Sequence, residues 1–128
     1  MTPVTLVCGG RAAAREQAIA TAIQTTYAGI HEQPVVALLE GLADGRGEPA
    51  LVASPHLHII RIAAGCPCCV GNLTLRVTLN RILRRPPAQL YISLADTQHL
   101  PQIRDFLCQP PYCDLLQLNP ELQLDSNF

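Results

Sequence analysis

Pro3-Val4-Thr5-Leu6-Val7-Cys8 runs directly into Gly9-Gly10, and from Ala12 onward the composition changes to good helix formers. The first stretch is short, β-branched and apolar, the pattern of a buried strand, and the two glycines supply a turn. Ile19, Ile23 and Tyr27 then recur four apart on one helical face, and Gly29 stands where a left-handed cap ends a helix. A strand, a loop and a helix in that order open an α/β unit.

The same alternation continues along the chain. Pro34 introduces a second buried strand, Val35 to Leu39, and the Gly-rich stretch from Gly41 to Pro49 reads as an exposed loop. A third strand over Leu57 to Ile62 leads into Ala63-Ala64-Gly65-Cys66-Pro67-Cys68-Cys69. Gly71 and Asn72 then allow a helix to start, with Leu75, Leu79, Ile82 and Leu83 at helical spacing. Leu73 to Leu79 also alternates like a strand, but Arg84-Arg85 followed by Pro86-Pro87 is the ending of a helix. Gln89 to Leu94 is a fourth strand, Pro101 to Cys108 a short helix, and Leu115 to Leu118 and Leu122 to Leu124 the last strands, before a polar tail from Asp125 to Phe128. Buried strands alternating with helices predict one α/β domain over 1–128, a mostly parallel sheet flanked by helices. Ligands of such sheets bind at the carboxyl ends of the strands.

Composition narrows the function classes. The chain has 128 residues, nine basic and ten acidic side chains, and every basic one is arginine. Without lysine there is no Schiff-base chemistry. The near-even charge offers no polybasic surface for nucleic acid. The longest apolar run, Val35 to Leu39, falls far short of the roughly 20 residues that span a bilayer, and Met1 to Gly10 lacks the layout of a signal peptide. A soluble, cytoplasmic protein is expected, with neither nucleic acid nor membrane as a partner. In that compartment six cysteines are not read as a disulfide framework.

Cys66-Pro67-Cys68-Cys69 is the sharpest chemical signal. Three thiols within four residues, on a turn held by Gly65 and Pro67, can converge on one ion, as soft sulfur ligands do for zinc or copper(I). Three sulfurs leave a tetrahedral site one ligand short. Candidates for the fourth are Cys8 and Glu40, both at strand ends, and after them His56, His58 and His99. Two other readings stand beside this one: small buried core residues, or a redox pair formed by Cys66 and Cys68. Cys108 is expected to pack in the core and Cys113 to lie in a loop, the alternative being a second thiol pair formed by the two.

The opening unit has the layout of a phosphate-binding loop, whose pattern is Gly, four residues, then Gly-Lys-Ser/Thr. Here Ala14-Arg15-Glu16 stands where Gly-Lys-Thr is required. Ala14 adds a Cβ, Arg15 replaces a compact ammonium with a planar guanidinium, and Glu16 puts a carboxylate in place of a magnesium-binding hydroxyl. Gly9, Gly10, Arg11 and Arg15 remain as a vestigial anion loop at a helix N-terminus.

These residues together resemble the N-terminal half of the CobW-like family of P-loop GTPases that handle metals. Its Gly-Cys-x-Cys-Cys signature falls on Gly65, Cys66, Cys68 and Cys69. The resemblance implies a P-loop NTPase-like, Rossmann-like three-layer fold. It also implies a metal-handling role, with zinc, cobalt or another thiophilic metal held by Cys66, Cys68 and Cys69 and completed by Cys8 or Glu40. The family's Asn-Glu pair falls on Leu39-Glu40, and its Glu-Thr-Thr/Ser-Gly switch on Ser93-Leu94-Ala95-Asp96, where the Glu and Gly are absent. Its guanine-reading segment and C-terminal domain lie past residue 128. The expectation is a metal-binding protein without GTPase activity that does not bind GTP. Its partners are a metal ion and either a second copy or a full-length GTPase or metal-accepting protein. The alternatives are a scaffold or regulatory subunit, and a residual GTP-binding protein.

Overall fold

The computed structural model describes residues 2–26, 34–40, 55–62, 70–94, 100–110 and 112–124. Six strands, β1 (Thr2–Cys8), β2 (Val35–Glu40), β3 (Leu57–Ile62), β4 (Gln89–Leu94), β5 (Leu116–Leu118) and β6 (Leu122–Gln123), form one parallel sheet in the order β3-β2-β4-β1-β5, with β6 also on β1. Helices α1 (Ala12–Thr26), α2 (Val70–Ile82), α3 (Leu100–Leu107) and the single turn α4 (Tyr112–Leu115) complete it. The fold is the expected α/β class.

Side-chain alternation divides the sheet between two cores. Val4, Leu6 and Cys8 of β1, Val36 and Leu38 of β2, and Leu90, Ile92 and Leu94 of β4 face α2 and α3. Val7, Ala37, Leu39 and Tyr91 face Ile19 of α1. Val35 to Leu39 are buried throughout, as a strand covered on both faces must be. The edge strand β3 alternates instead, with His58 and Arg61 exposed.

The ambiguous stretch before Arg81 is helical. Leu75, Leu79 and Ile82 form the buried stripe while Val77 is 45% exposed, which separates residues that a strand would place on one face. In α3 the stripe is Leu100, Ile103 and Leu107, so Cys108, one position past it, is exposed rather than packed in the core. Cys113 lies in α4, a turn of helix where a loop was expected, and is half-buried. β5 and β6 act as one edge strand interrupted at Pro120, which has no N–H to give to the ladder. The N–H groups of Asn119 and Leu124, on either side of the break, donate to the carbonyls of Val4 (2.8 Å) and Cys8 (2.9 Å).

The connection leaving β1 crosses to β2 through α1 on one face. The connections leaving β3 and β4 run the other way along the sheet through α2 and α3 on the opposite face. Both senses are right-handed. Adjacent strands β1 and β4 therefore send their chains to opposite sides, and a crevice opens between their carboxyl ends, the switch point where such sheets take ligands.

Candidate functional site

Two rows of residues cross the sheet at those carboxyl ends, one on each face. On the α1 face the pairing register sets Arg61, Leu39, Ser93, Val7 and Leu122 side by side. One residue further along, on the α2 face, stand Ile62, Glu40, Leu94, Cys8 and Gln123.

The α1 row is filled by the first turns of α1. Gly9 and Gly10 turn the chain at φ +84° and +63°, and the N–H of Arg15 donates to the Arg11 carbonyl at 3.0 Å, starting the helix. A Cβ on Gly9 would lie 2.2 Å from the Leu124 carbonyl oxygen, so the strap after β6 can seat on the loop only because residue 9 is glycine. Arg15, 4% exposed, folds back into the crevice. Its Nε donates to Ser93 Oγ at 2.8 Å and its terminal nitrogen to the Gly10 carbonyl at 3.0 Å. Glu16, 6% exposed, takes a 2.9 Å ion pair from Arg61 of β3. Arg11 is exposed. The two residues at the lysine and threonine positions of a phosphate loop are thus engaged with the protein's own carbonyls, hydroxyl and guanidinium.

The α2 row is different. Cys8 is 1% exposed and packs with the core under α2 and α3. Burial raises its thiol above the ordinary range, against the pull of Arg15 and Arg104 in the other direction. Glu40 is half-buried and stands two strands away, roughly 10 Å at the usual strand spacing. Leu94 lies between them in the row, so a single ion reaches both only above the sheet edge. Arg104 of α3 is ion-paired with Glu121 beside this end.

Cys66, Cys68 and Cys69, with Gly65 and His99, lie outside the described residues; the thiol segment joins Ile62 at the end of β3 to Val70 at the start of α2. Among the described residues no three metal-ligating side chains come together. His56 precedes β3 and His58 lies near its start, so they sit toward the opposite end of the strand, about 20 Å and about 13 Å from Ile62 at the rise of a strand. Sequence reasoning also missed Ser93 as the partner of Arg15 and Arg61 as the partner of Glu16, contacts that depend on strand register.

The frame is a parallel α/β sheet with a glycine turn and a carboxylate at its carboxyl ends. The chain is similar to a zinc chaperone. It is 38% identical over 85 residues to the zinc chaperone YeiR of Escherichia coli K12, a match that takes in 60% of this chain and 26% of that protein. The chain therefore spans about a quarter of its curated relative's length. No family model and no solved structure matches it. No described helix is long and apolar enough to cross a membrane.

Proposed function

We propose that this chain handles a thiophilic metal ion, zinc first, in the manner of a CobW-like protein without GTP hydrolysis. Cys66, Cys68 and Cys69 supply three thiolates and Glu40 or Cys8 the fourth ligand. The observation that carries the metal reading is the similarity to a zinc chaperone, joined to a cluster whose chemistry suits that ion. Glu40 is the better fourth ligand, because it is half-buried at the sheet edge whereas Cys8 is buried in the core. Cys8 would first have to give up a proton from inside the core.

Loss of phosphate chemistry rests on Arg15 and Glu16. A triphosphate would have to draw the Arg15 guanidinium off Ser93 and Gly10, and magnesium would meet a carboxylate already neutralised by Arg61. The first exchange breaks the buried hydrogen bond to Ser93, and both leave the former partners of Arg15 and Glu16 unsatisfied.

Metal analysis of protein purified without chelator, followed by cobalt(II) titration, tests the reading. Bound zinc and a thiolate-to-cobalt absorption that disappears in Cys66→Ser plus Cys68→Ser are expected. No such absorption, or one unchanged in that variant, removes the proposal. Calorimetry with GTP and magnesium is expected to show no binding heat, and measurable binding would restore the nucleotide reading.

A further inference from the structure

At the other end of the sheet, away from the strand ends, a second site is built from different residues. Val36 of β2, Ile60 of β3 and Ile82 of α2 floor a pocket of about 480 Å³, and Arg81, Arg84 and Arg85 stand around it. All three arginines are exposed. They are a third of the chain's nine basic residues, gathered within five positions.

The other described arginines each have a partner or stand apart. Arg15 is hydrogen-bonded in the crevice, Arg61 and Arg104 are ion-paired, Arg76 lies 5.6 Å from the Phe106 ring centroid, and Arg11 projects from the glycine turn. Arg81, Arg84 and Arg85 have no ion pair or side-chain hydrogen bond among the described residues. Helix capping does not explain them. The carbonyls of Leu79, Arg81 and Ile82 already accept from the N–H groups of Leu83, Arg84 and Arg85, and one arginine in the last turn suffices for the helix dipole. His58 adds a further donor at the wall.

A pocket with an apolar floor and a cationic rim selects a ligand with the opposite arrangement. Inorganic phosphate would leave the floor empty. Nucleic acid asks for a longer basic track than three residues and for stacking rings, which this pocket lacks. We infer that this pocket binds an acidic peptide segment of a partner protein, one apolar side chain resting on Val36, Ile60 and Ile82 and flanking carboxylates pairing with Arg81, Arg84 and Arg85. Arginine's planar fork suits carboxylates in two-point contacts. On its outer side β3 pairs with no other strand among the described residues. This surface is independent of the metal reading.

Selection of peptides from a random dodecapeptide display library against the full chain, then fluorescence anisotropy with the selected peptide, tests the proposal. The selected sequences are expected to carry an apolar residue between Asp or Glu residues. Affinity should drop about tenfold or more in Arg84→Glu plus Arg85→Glu, as charge reversal at a complementary contact requires, and weaken with added sodium chloride. If that variant does not fold, Arg84→Gln plus Arg85→Gln gives the same reading with a loss of about threefold. Selection of neutral or basic peptides, of none, or of peptides whose binding ignores both variants overturns it. Equal binding to vesicles of anionic phospholipid, abolished by the same substitutions, also overturns it and assigns the patch to a lipid surface.

Discussion

The two faces of the sheet at its carboxyl edge differ by a single residue of register, yet they have opposite characters. On the α1 face the row through Ser93 is occupied by Arg15 and Glu16, whose charges are spent on the protein itself. On the α2 face the row through Leu94 presents a half-buried carboxylate and a buried thiol on either side of an apolar spacer, next to where the thiol segment leaves β3. The contrast teaches that one strand-and-turn frame can set a paired arginine and glutamate on one side and a carboxylate and a thiol on the other. Only the alternation of side chains along each strand separates the two.

The largest effect is expected where that contrast is broken at its open side. Glu40→Gln should weaken cobalt(II) binding by about tenfold or more, since losing an ionic ligand removes both charge and coordination, whereas Cys8→Ala should leave affinity within about twofold. If Cys8→Ala carries the loss instead, the thiol is the ligand and the metal lies nearer α3.

Breaking the closed side comes next. Arg15→Ala leaves Ser93 Oγ and the Gly10 carbonyl without their donor, at a cost of about 2–4 kcal/mol for buried unsatisfied groups. Urea unfolding should show this as a lower midpoint with an unchanged slope. Arg15→Lys should recover only part of it, because an ammonium cannot hold both directions of the guanidinium fork. An Arg15→Ala protein as stable as the parent would mean that the crevice is open to a ligand after all.

A smaller change sharpens the pairing across the sheet. Glu16→Gln should cost about 1–2 kcal/mol, since Arg61 remains partly solvated and can reach water when its partner is neutral. Arg61→Gln should give a similar loss, and the double variant less than the sum.

The smallest effect is a pH dependence. Burial holds the Cys8 thiol above its ordinary value of 9.0 and the Tyr112 phenol above 10.0. The folded state keeps these protons longer than the unfolded chain does. Their stabilisation is complete below the unfolded values and is lost as pH rises from there through the folded ones. The urea midpoint should therefore fall on the alkaline side, and less steeply in Cys8→Ala.

Most of the fold was legible because β1 and β2 are apolar runs closed by Gly and β3 and β4 are short and rich in β-branched and aromatic residues, and the helices α2 and α3 carry one stripe each. Leu100, Ile103 and Leu107 also held the answer for Cys108, which lies off their stripe and had no reason to be placed in the core. The turn Tyr112–Leu115 was not legible, since four residues after Pro110-Pro111 are too few to show a period. The candidate site divided the same way. Arg15 and Glu16 stood out as misfits to a phosphate loop, but their partners Ser93 and Arg61 are 78 and 45 positions away and could be found only from the order and register of strands. The placement of His56 and His58 at the far end of the sheet followed from strand direction, which in a parallel sheet is fixed by the order of the chain.

Strand β1 is the one element that pairs with β4, β5 and β6 alike. Of the six strands it is also the earliest in the chain. Its earliest partners lie far downstream: Thr2 Oγ1 donates to the carbonyl of Pro87, 85 positions on. Synthesis runs at about 5–20 residues per second, so β1 waits several seconds as an apolar segment without a partner, while β2 and β3 can already pair with each other. The two halves of the sheet are thus joined only when β4, its middle strand, has been made. A nascent chain held short of β4 should expose β1 to chaperones.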